Sequence, residues 1–255
     1  MRAATPAPSR RMLLLNLGCG TKASPHPDVV NIDWAMYLRL SRRPLLRRLA
    51  LMVLNETRRE RLLALPSNVQ AHNIAKGIPF DDHSVDVVYH SHLLEHLDRD
   101  VAERFMHEVR RVLRGDGIQR IVVPDLEAIC RDYLDHLQHC ADREEEWSRH
   151  DEYVAALIEQ SVRRDAYGTS QQRPIRRYIE NAVLGDARRR GETHQWMYDR
   201  INLSALLTRT GFGHIERQRF NTSGIPRWMD YGLDVNINGN EHKPGSLYLE
   251  ARPTD

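Results

Sequence analysis

Short apolar runs set the rhythm of this chain. Met12–Leu17 reads as a strand buried on both faces that ends at Gly18. Val29–Asp33 reads as a second strand, Asn68–Asn73 as a third and Val85–Ser91 as a fourth. Next, Val101, Phe105, Met106, Val109, Val112 and Leu113 fall at spacings of four, one, three, three and one, which predicts a helix with one apolar face. Asp98 or Asp100 is placed to cap its start, and Gly115 with Gly117 to stop it. A fifth strand, Gln119–Val123, ends at Pro124-Asp125. After a long interruption come a helix over Asn202–Thr210 stopped by Gly211, a strand over Gly213–Phe220, and a last strand over Ser246–Arg252. This alternation predicts an α/β fold on a mostly parallel sheet covered on both faces.

Two stretches break the rhythm. Residues 36–66 are basic and rich in leucine, and are expected to form a helical insertion that lies on an anionic membrane surface, lines a homodimer interface or helps cover the acceptor site. Residues 127–198 are highly charged and predicted mostly helical, an insertion or lid over the sheet. The segment between the last two strands, NTSGIPRWMDYGLDVNINGNEHKPG, is turn-rich and reads as a functional loop. Residues 1–11 read as a short flexible tail, leaving 12–255 as one domain.

Composition narrows the class. Of 255 residues, 41% are hydrophobic and 28% charged, as in an ordinary globular protein, and the net charge of +2 hides clustered arginines. Cys19, Cys130 and Cys140 show no metal-ligand spacing and cannot all pair, which fits free thiols in the cytoplasm. No run approaches the ~18 apolar residues of a membrane span.

Three constellations carry candidate chemistry. In Asn16-Leu17-Gly18-Cys19-Gly20-Thr21, the glycines allow a sharp turn at a strand end and close approach of a ligand to the main chain. Asp33, ending the next strand, is placed to accept both hydroxyls of a ribose. Pro25 and Pro27 leave little room for the helix that usually follows such a loop, so a purely structural turn is the other reading. Asn73, before Ile74, either reads an adenine edge or starts an Asx turn. In Tyr89-His90-Ser91-His92-Leu93-Leu94-Glu95-His96, a histidine at a strand end suits a general base. His92 and His96 have acceptable metal spacing, but no third ligand lies near in sequence, so no metal is expected.

Together, LNLGCGTK…VNID, HNIAKGIPFDDHSVDVVYHSHLLEHL and EVRRVLRGDGIQRIVVPDLEAI resemble class I S-adenosylmethionine-dependent methyltransferases over residues 12–126. The likeness is to the small-molecule and glycan-modifying branch with an LEH motif after the fourth strand. The ending, from HQWMYDR to GSLYLEAR, is similar to predicted methyltransferases of polysaccharide gene clusters. The resemblance implies a Rossmann-like, seven-stranded sheet with an antiparallel last strand, and S-adenosylmethionine as cofactor. It implies Gly18, Cys19 and Gly20 beside the methionine moiety, Asp33 on the ribose, Asn73 and Ile74 flanking the adenine, and Ser91 and His92 near the methyl group. Asn16 stands where an acidic residue is common, and Lys22 replaces the usual third glycine, from where it is placed to reach the cofactor's carboxylate.

Methyl transfer to a hydroxyl needs alignment and removal of one proton. His92 is the expected base, with His194 and Asp199 as alternates. Trp196 either packs the insertion onto the sheet or meets the acceptor; Trp228 and Tyr231 would offer it a flat face, and Arg227 and Lys243 would hold an anionic group on it. The function expected is O-methylation of a sugar hydroxyl or related polar small molecule. An RNA or protein methyltransferase is the first alternative, without the Pro-Pro-aromatic signature of enzymes that methylate nucleobase amines. A non-catalytic cofactor-binding partner protein is the second.

Overall fold

The computed structural model describes residues 10–34, 68–140, 143, 146–160 and 193–254, together with Arg48 and Leu63. The basic stretch 36–66, apart from those two residues, and residues 161–192 of the expected insertion lie outside the described residues.

The strands are β1 (Leu14–Leu17), β2 (Val29–Asp33), β3 (Val69–Ala71), β4 (Val85–Ser91), β5 (Leu113–Pro124), β6 (Phe212–Gln218) and β7 (Ser246–Pro253). They form one sheet in the order β3-β2-β1-β4-β5-β7-β6. The first five are mutually parallel, and β7 runs antiparallel to both β5 and β6. Among the described residues the helices with assigned bounds are α1 (Arg99–Val112), α2 (Leu126–Cys140), α3 (Trp147–Gln160) and α4 (Arg200–Arg209). The expected sheet, with its antiparallel last strand, is therefore present. No helix separates β1 from β2, where Pro25 and Pro27 stand in turns and extended chain.

Boundaries moved where tertiary contacts outweigh local signals. Helix α1 stops at Val112, and β5 begins at the next residue, so Gly115 and Gly117 lie inside the strand rather than ending the helix. The β4–β5 register shifts there, and a Cβ on Gly117 would come 3.0 Å from the Asp86 carbonyl, which only glycine avoids. Asp98 occupies the cap position of α1, but its side chain makes no capping hydrogen bond to the helix.

The two faces of the sheet are closed differently. On one, Phe105, Met106 and Val109 of α1 and Leu203 and Leu207 of α4 pack with Leu15, Leu17, Val88 and Ile121. Each such side chain, fully buried, contributes about 1.5–3 kcal/mol. On the other, Ile225, Trp228, Tyr231 and Leu233 of the segment before β7 pack with Val87, Tyr89, Val122 and Tyr248. Arg120 of β5 sits within this second layer. Its Nε donates to Asp234 (2.9 Å), Nη1 to Glu250 (2.7 Å) and the Thr222 carbonyl (2.9 Å), and Nη2 to the Arg219 carbonyl (2.8 Å). Nη2 also lies 2.8 Å from Asp234, so every N–H of the guanidinium has a partner.

That layer corrects the expectation for Trp228 and Tyr231. Trp228 is 4% exposed, lies 4.4 Å beneath the Arg120 guanidinium and donates Nε1–H to the Phe220 carbonyl. Tyr231, 2% exposed, packs edge-on against His26. Both are core, and neither offers a flat face to an acceptor. Asp199 is corrected too: its carboxylate accepts the backbone N–H groups of Ile201 and Asn202 (both 2.8 Å) as the cap of α4, so it is no base.

Candidate active site

Strand order reverses between β1 and β4, and in open sheets of this kind ligands bind outside the carboxyl ends of strands at that reversal. Leu17 pairs with His90, so Gly18 and Ser91 leave the sheet side by side. Gly18 (φ 65°) and Gly20 (φ 53°) are both left-handed. A Cβ on Gly18 would strike the Leu93 side chain at 2.8 Å, so this glycine lets the loop after β4 close against the loop after β1. A Cβ on Gly20 would meet nothing within 4 Å, which leaves space for a ligand against the main chain. Asp33 accepts the Gly20 N–H at 2.6 Å and so fixes that loop to the end of β2.

The remaining cradle residues mostly brace it. Asn16 donates both amide hydrogens inward, to the Lys22 carbonyl (3.0 Å) and Asn31 (2.9 Å), and Asn31 in turn holds Ser24. The Lys22 ammonium donates to the Val235 carbonyl, and burial lowers its pKa while Asp234 opposes that shift. Burial, then the Asp33 charge, pushes the Cys19 thiol up to about 12, so it stays neutral and unreactive. Asn73 accepts the Ala75 N–H (3.0 Å) and caps a turn of 3-10 helix, Ile74–Lys76. The Asx turn is therefore real, and β2–β3 pairing holds it next to Asp33.

After β4 the chain builds a buried polar cluster. His92 is left-handed (φ 50°), an unusual conformation for a side chain of this size, and its Nε2 lies 2.9 Å from Ser246 Oγ. The Ser246 hydroxyl donates its one hydrogen to the Lys243 carbonyl (2.7 Å), so His92 Nε2 carries the proton and Nδ1 the lone pair. Nδ1 lies 3.4 Å from a carboxylate oxygen of Glu95. Glu95 is fully buried, and among the described residues neither of its oxygens has a hydrogen-bond partner. Burial raises its pKa to about 8. Burial, aided by Lys243 and neighbouring histidines, lowers His92 to about 3. His194, 98 residues along the chain, returns to stack edge-on against His96 at 4.9 Å between ring centres.

Residues 35–121 match the family described as a methyltransferase domain; the match runs from before β3 into β5 and leaves out the glycine loop. That match, over about a third of the chain, marks a methyltransferase domain, and the sheet order with its antiparallel β7 agrees with a Rossmann-like methyltransferase fold. S-adenosylmethionine is its methyl donor. Among solved structures, the chain is similar in outline to the YcgJ protein of Bacillus subtilis, at 12% identity over 96% of this chain and 94% of that one, with a TM-score of 0.43. It is also similar to 1,6-didemethyltoxoflavin-N1-methyltransferase of Burkholderia thailandensis, at 15% identity over 96% and 72%, TM-score 0.43. A third is the PH0226 protein of Pyrococcus horikoshii, at 16% identity over 96% and 83%, TM-score 0.43. No curated protein matches the chain in sequence.

Within this methyltransferase, the residues expected to meet the acceptor divide. Lys243 is exposed, and its charge acts on His92, Glu95 and His96, so it stands beside the cluster. Trp196 donates its backbone N–H to the Glu95 carbonyl, and the Arg99 guanidinium covers its ring at 4.5 Å; packing is its observed role. Arg227 pairs with Asp230 (3.4 Å) at the turn that buries Trp228 and takes no part in the cluster. The site residue not anticipated is Glu95. Its motif is visible in the sequence, but its burial and lack of donors follow only from packing.

Proposed function

We propose that this methyltransferase methylates an oxygen of a sugar, glycan or related polar small molecule. S-adenosylmethionine supplies an electrophilic methyl group on sulfur. The glycine loop and Asp33 would hold it, with Asn73 and Ile74 at its adenine. The open space over Gly20 fits that assignment. One acceptor proton must leave as the new C–O bond forms, and the buried cluster around His92 and Glu95 is the observation that supports the reading. His92 alone, lowered to about 3, is a weak base, so the cluster acts as a unit. Lys243 would hold an anionic group on the acceptor.

Residues 12–255 are read as one methyltransferase domain in which α2 and α3 belong to an insertion over the sheet. The free thiols of Cys19, Cys130 and Cys140 support a cytoplasmic setting. Among the described residues no helix is long and apolar enough to cross a membrane. On this reading, surface contact with a membrane or self-association would fall to residues 36–66.

Calorimetry tests the cradle first, with S-adenosylmethionine and S-adenosylhomocysteine as ligands and NADH as control. Both sulfur nucleosides bind, and Asp33→Ala weakens them. Methyl transfer to a panel of free and lipid-linked sugars then tests the acceptor class. Tight donor binding without turnover on any acceptor would favour the non-catalytic alternative.

A further inference from the structure

Glu95 presents an unsolved problem in the fold. A carboxyl group without a hydrogen-bond partner among the described residues, removed from water, is costly, and such groups are normally paired or bound to metal. Its neighbours are three histidines whose ring hydrogens all point away from it. His92 donates Nε2–H to Ser246. His96 has Nδ1 3.2 Å from the Thr193 carbonyl, and a carbonyl only accepts, so Nδ1 carries the hydrogen and Nε2 the lone pair. His194 has Nδ1 3.0 Å from the Gln160 carbonyl and, by the same logic, keeps its lone pair on Nε2. His92 Nδ1 and His96 Nε2, both lone-pair nitrogens, lie 3.4 Å and 3.9 Å from the same Glu95 oxygen. One ligand atom each from Glu95, His96 and His194 fall within 4.8 Å of one another. Outer partners that take the second ring N–H and fix the tautomer are the usual setting of metal-bound histidines.

We propose that Glu95, His96 and His194, with His92 beside them, bind a divalent transition-metal ion at the carboxyl end of β4. Imidazole nitrogens with one carboxylate suit zinc, iron, manganese, cobalt or nickel rather than calcium or magnesium. The ion explains what the sequence leaves open: the third ligand is His194, delivered by the return of the chain before α4. It also turns Glu95 from an orphaned acid into a ligand. Leu93 packs this loop on Gly18, so the ion lies next to the donor cradle. Its use in the reaction rests on the methyl-transfer reading: a divalent ion there supplies the Lewis acidity that lets an acceptor hydroxyl lose its proton.

The test begins with chelator-treated protein titrated with zinc, with elemental analysis of the gel-filtered product. A second metal-capable group, His136, Cys140 and His150, lies between α2 and α3, so every titration is run on Cys140→Ser as well. We expect one zinc per chain in Cys140→Ser, and binding weakened about 10-fold or more by Glu95→Gln and by His194→Asn. Glu95→Gln keeps the side chain's shape, and its circular dichroism and thermal midpoint report whether it folds. Cobalt(II) at this site gives visible ligand-field bands without a thiolate charge-transfer band. The proposal is overturned if Cys140→Ser binds no ion, or if Glu95→Gln in that background binds as tightly as its parent. Calorimetry with S-adenosylhomocysteine on the metal-free protein separates the two readings: cofactor binding without any metal site sinks the ion alone.

Discussion

Arg120 and Glu95 are both fully buried ionisable residues, and the sheet treats them oppositely. Around Arg120 every donor is met, and Glu250 also accepts the Gly224 N–H (2.8 Å) while Tyr89 donates to Asp234 (2.7 Å). Around Glu95 no other side chain among the described residues donates to the carboxyl oxygens. A satisfied buried network specifies one arrangement and rigidifies it. An unsatisfied one stores cost and marks a candidate for binding. On the proposed reading the first is architecture and the second a site, and substitutions should separate them.

The largest effect is expected at Arg120. Arg120→Met strands Asp234 and Glu250 without their counter-charge and should cost about 3–5 kcal/mol, read as a lower midpoint in chemical denaturation. Adding Asp234→Asn should recover part of that loss, because one of the two stranded charges is gone. Trp228→Ala comes next. It empties a core position and removes the ring under the guanidinium, for about 3–5 kcal/mol. Trp228→Phe loses less, and the KM for acceptor should stay at the wild-type value; a raised KM with unchanged stability would return Trp228 to the acceptor site.

Glu95→Gln should invert this pattern. Stability of the metal-free protein changes by no more than about 1 kcal/mol, since nothing donates to the carboxylate, while methyl transfer falls by roughly 100-fold or more. The smallest effect is expected at the surface. Glu108 accepts two hydrogen bonds from Arg111 (both 2.9 Å) and one from the Ile78 N–H (3.0 Å). The Arg111 hydrogen bonds, more than any other cause, lower its pKa below the ordinary 4.5. That contribution is present above about pH 4.5 and is lost as pH falls through the lowered value. Glu108→Gln should therefore cost about 0.5–1 kcal/mol at neutral pH, and the two melting curves should converge in acid.

What was legible in the sequence follows the same division. Val29–Asp33 and Val85–Ser91 are strands with the bounds that their apolar runs suggest, because a strand buried on both faces announces itself locally. The glycine loop and its neighbour Asp33 were equally readable, since backbone conformation and strand-end position are local facts. The turn-rich segment before β7 was not. Its Trp and Tyr suit a sugar platform as well as a core, and only Arg120, about a hundred residues earlier, decides between them. The histidine cluster was legible only in part: His92, His96 and His194 were visible as residues, but that His194 and the orienting Ser246 return to the end of β4 from distant parts of the chain was not.

The missing helix after the glycine loop has a consequence for how the molecule is made. In its place, Lys22 is held by Val235, 213 residues away, and Ser24 Oγ by the Tyr231 carbonyl at 2.7 Å. A chain emerging from the ribosome can pair β1 with β2 early, but the clasp on its donor loop forms only after Tyr231 and Val235 have been translated. Contacts of such separation form late and slowly. The loop after β1 thus takes its clasped form only once the segment before β7 has joined the sheet.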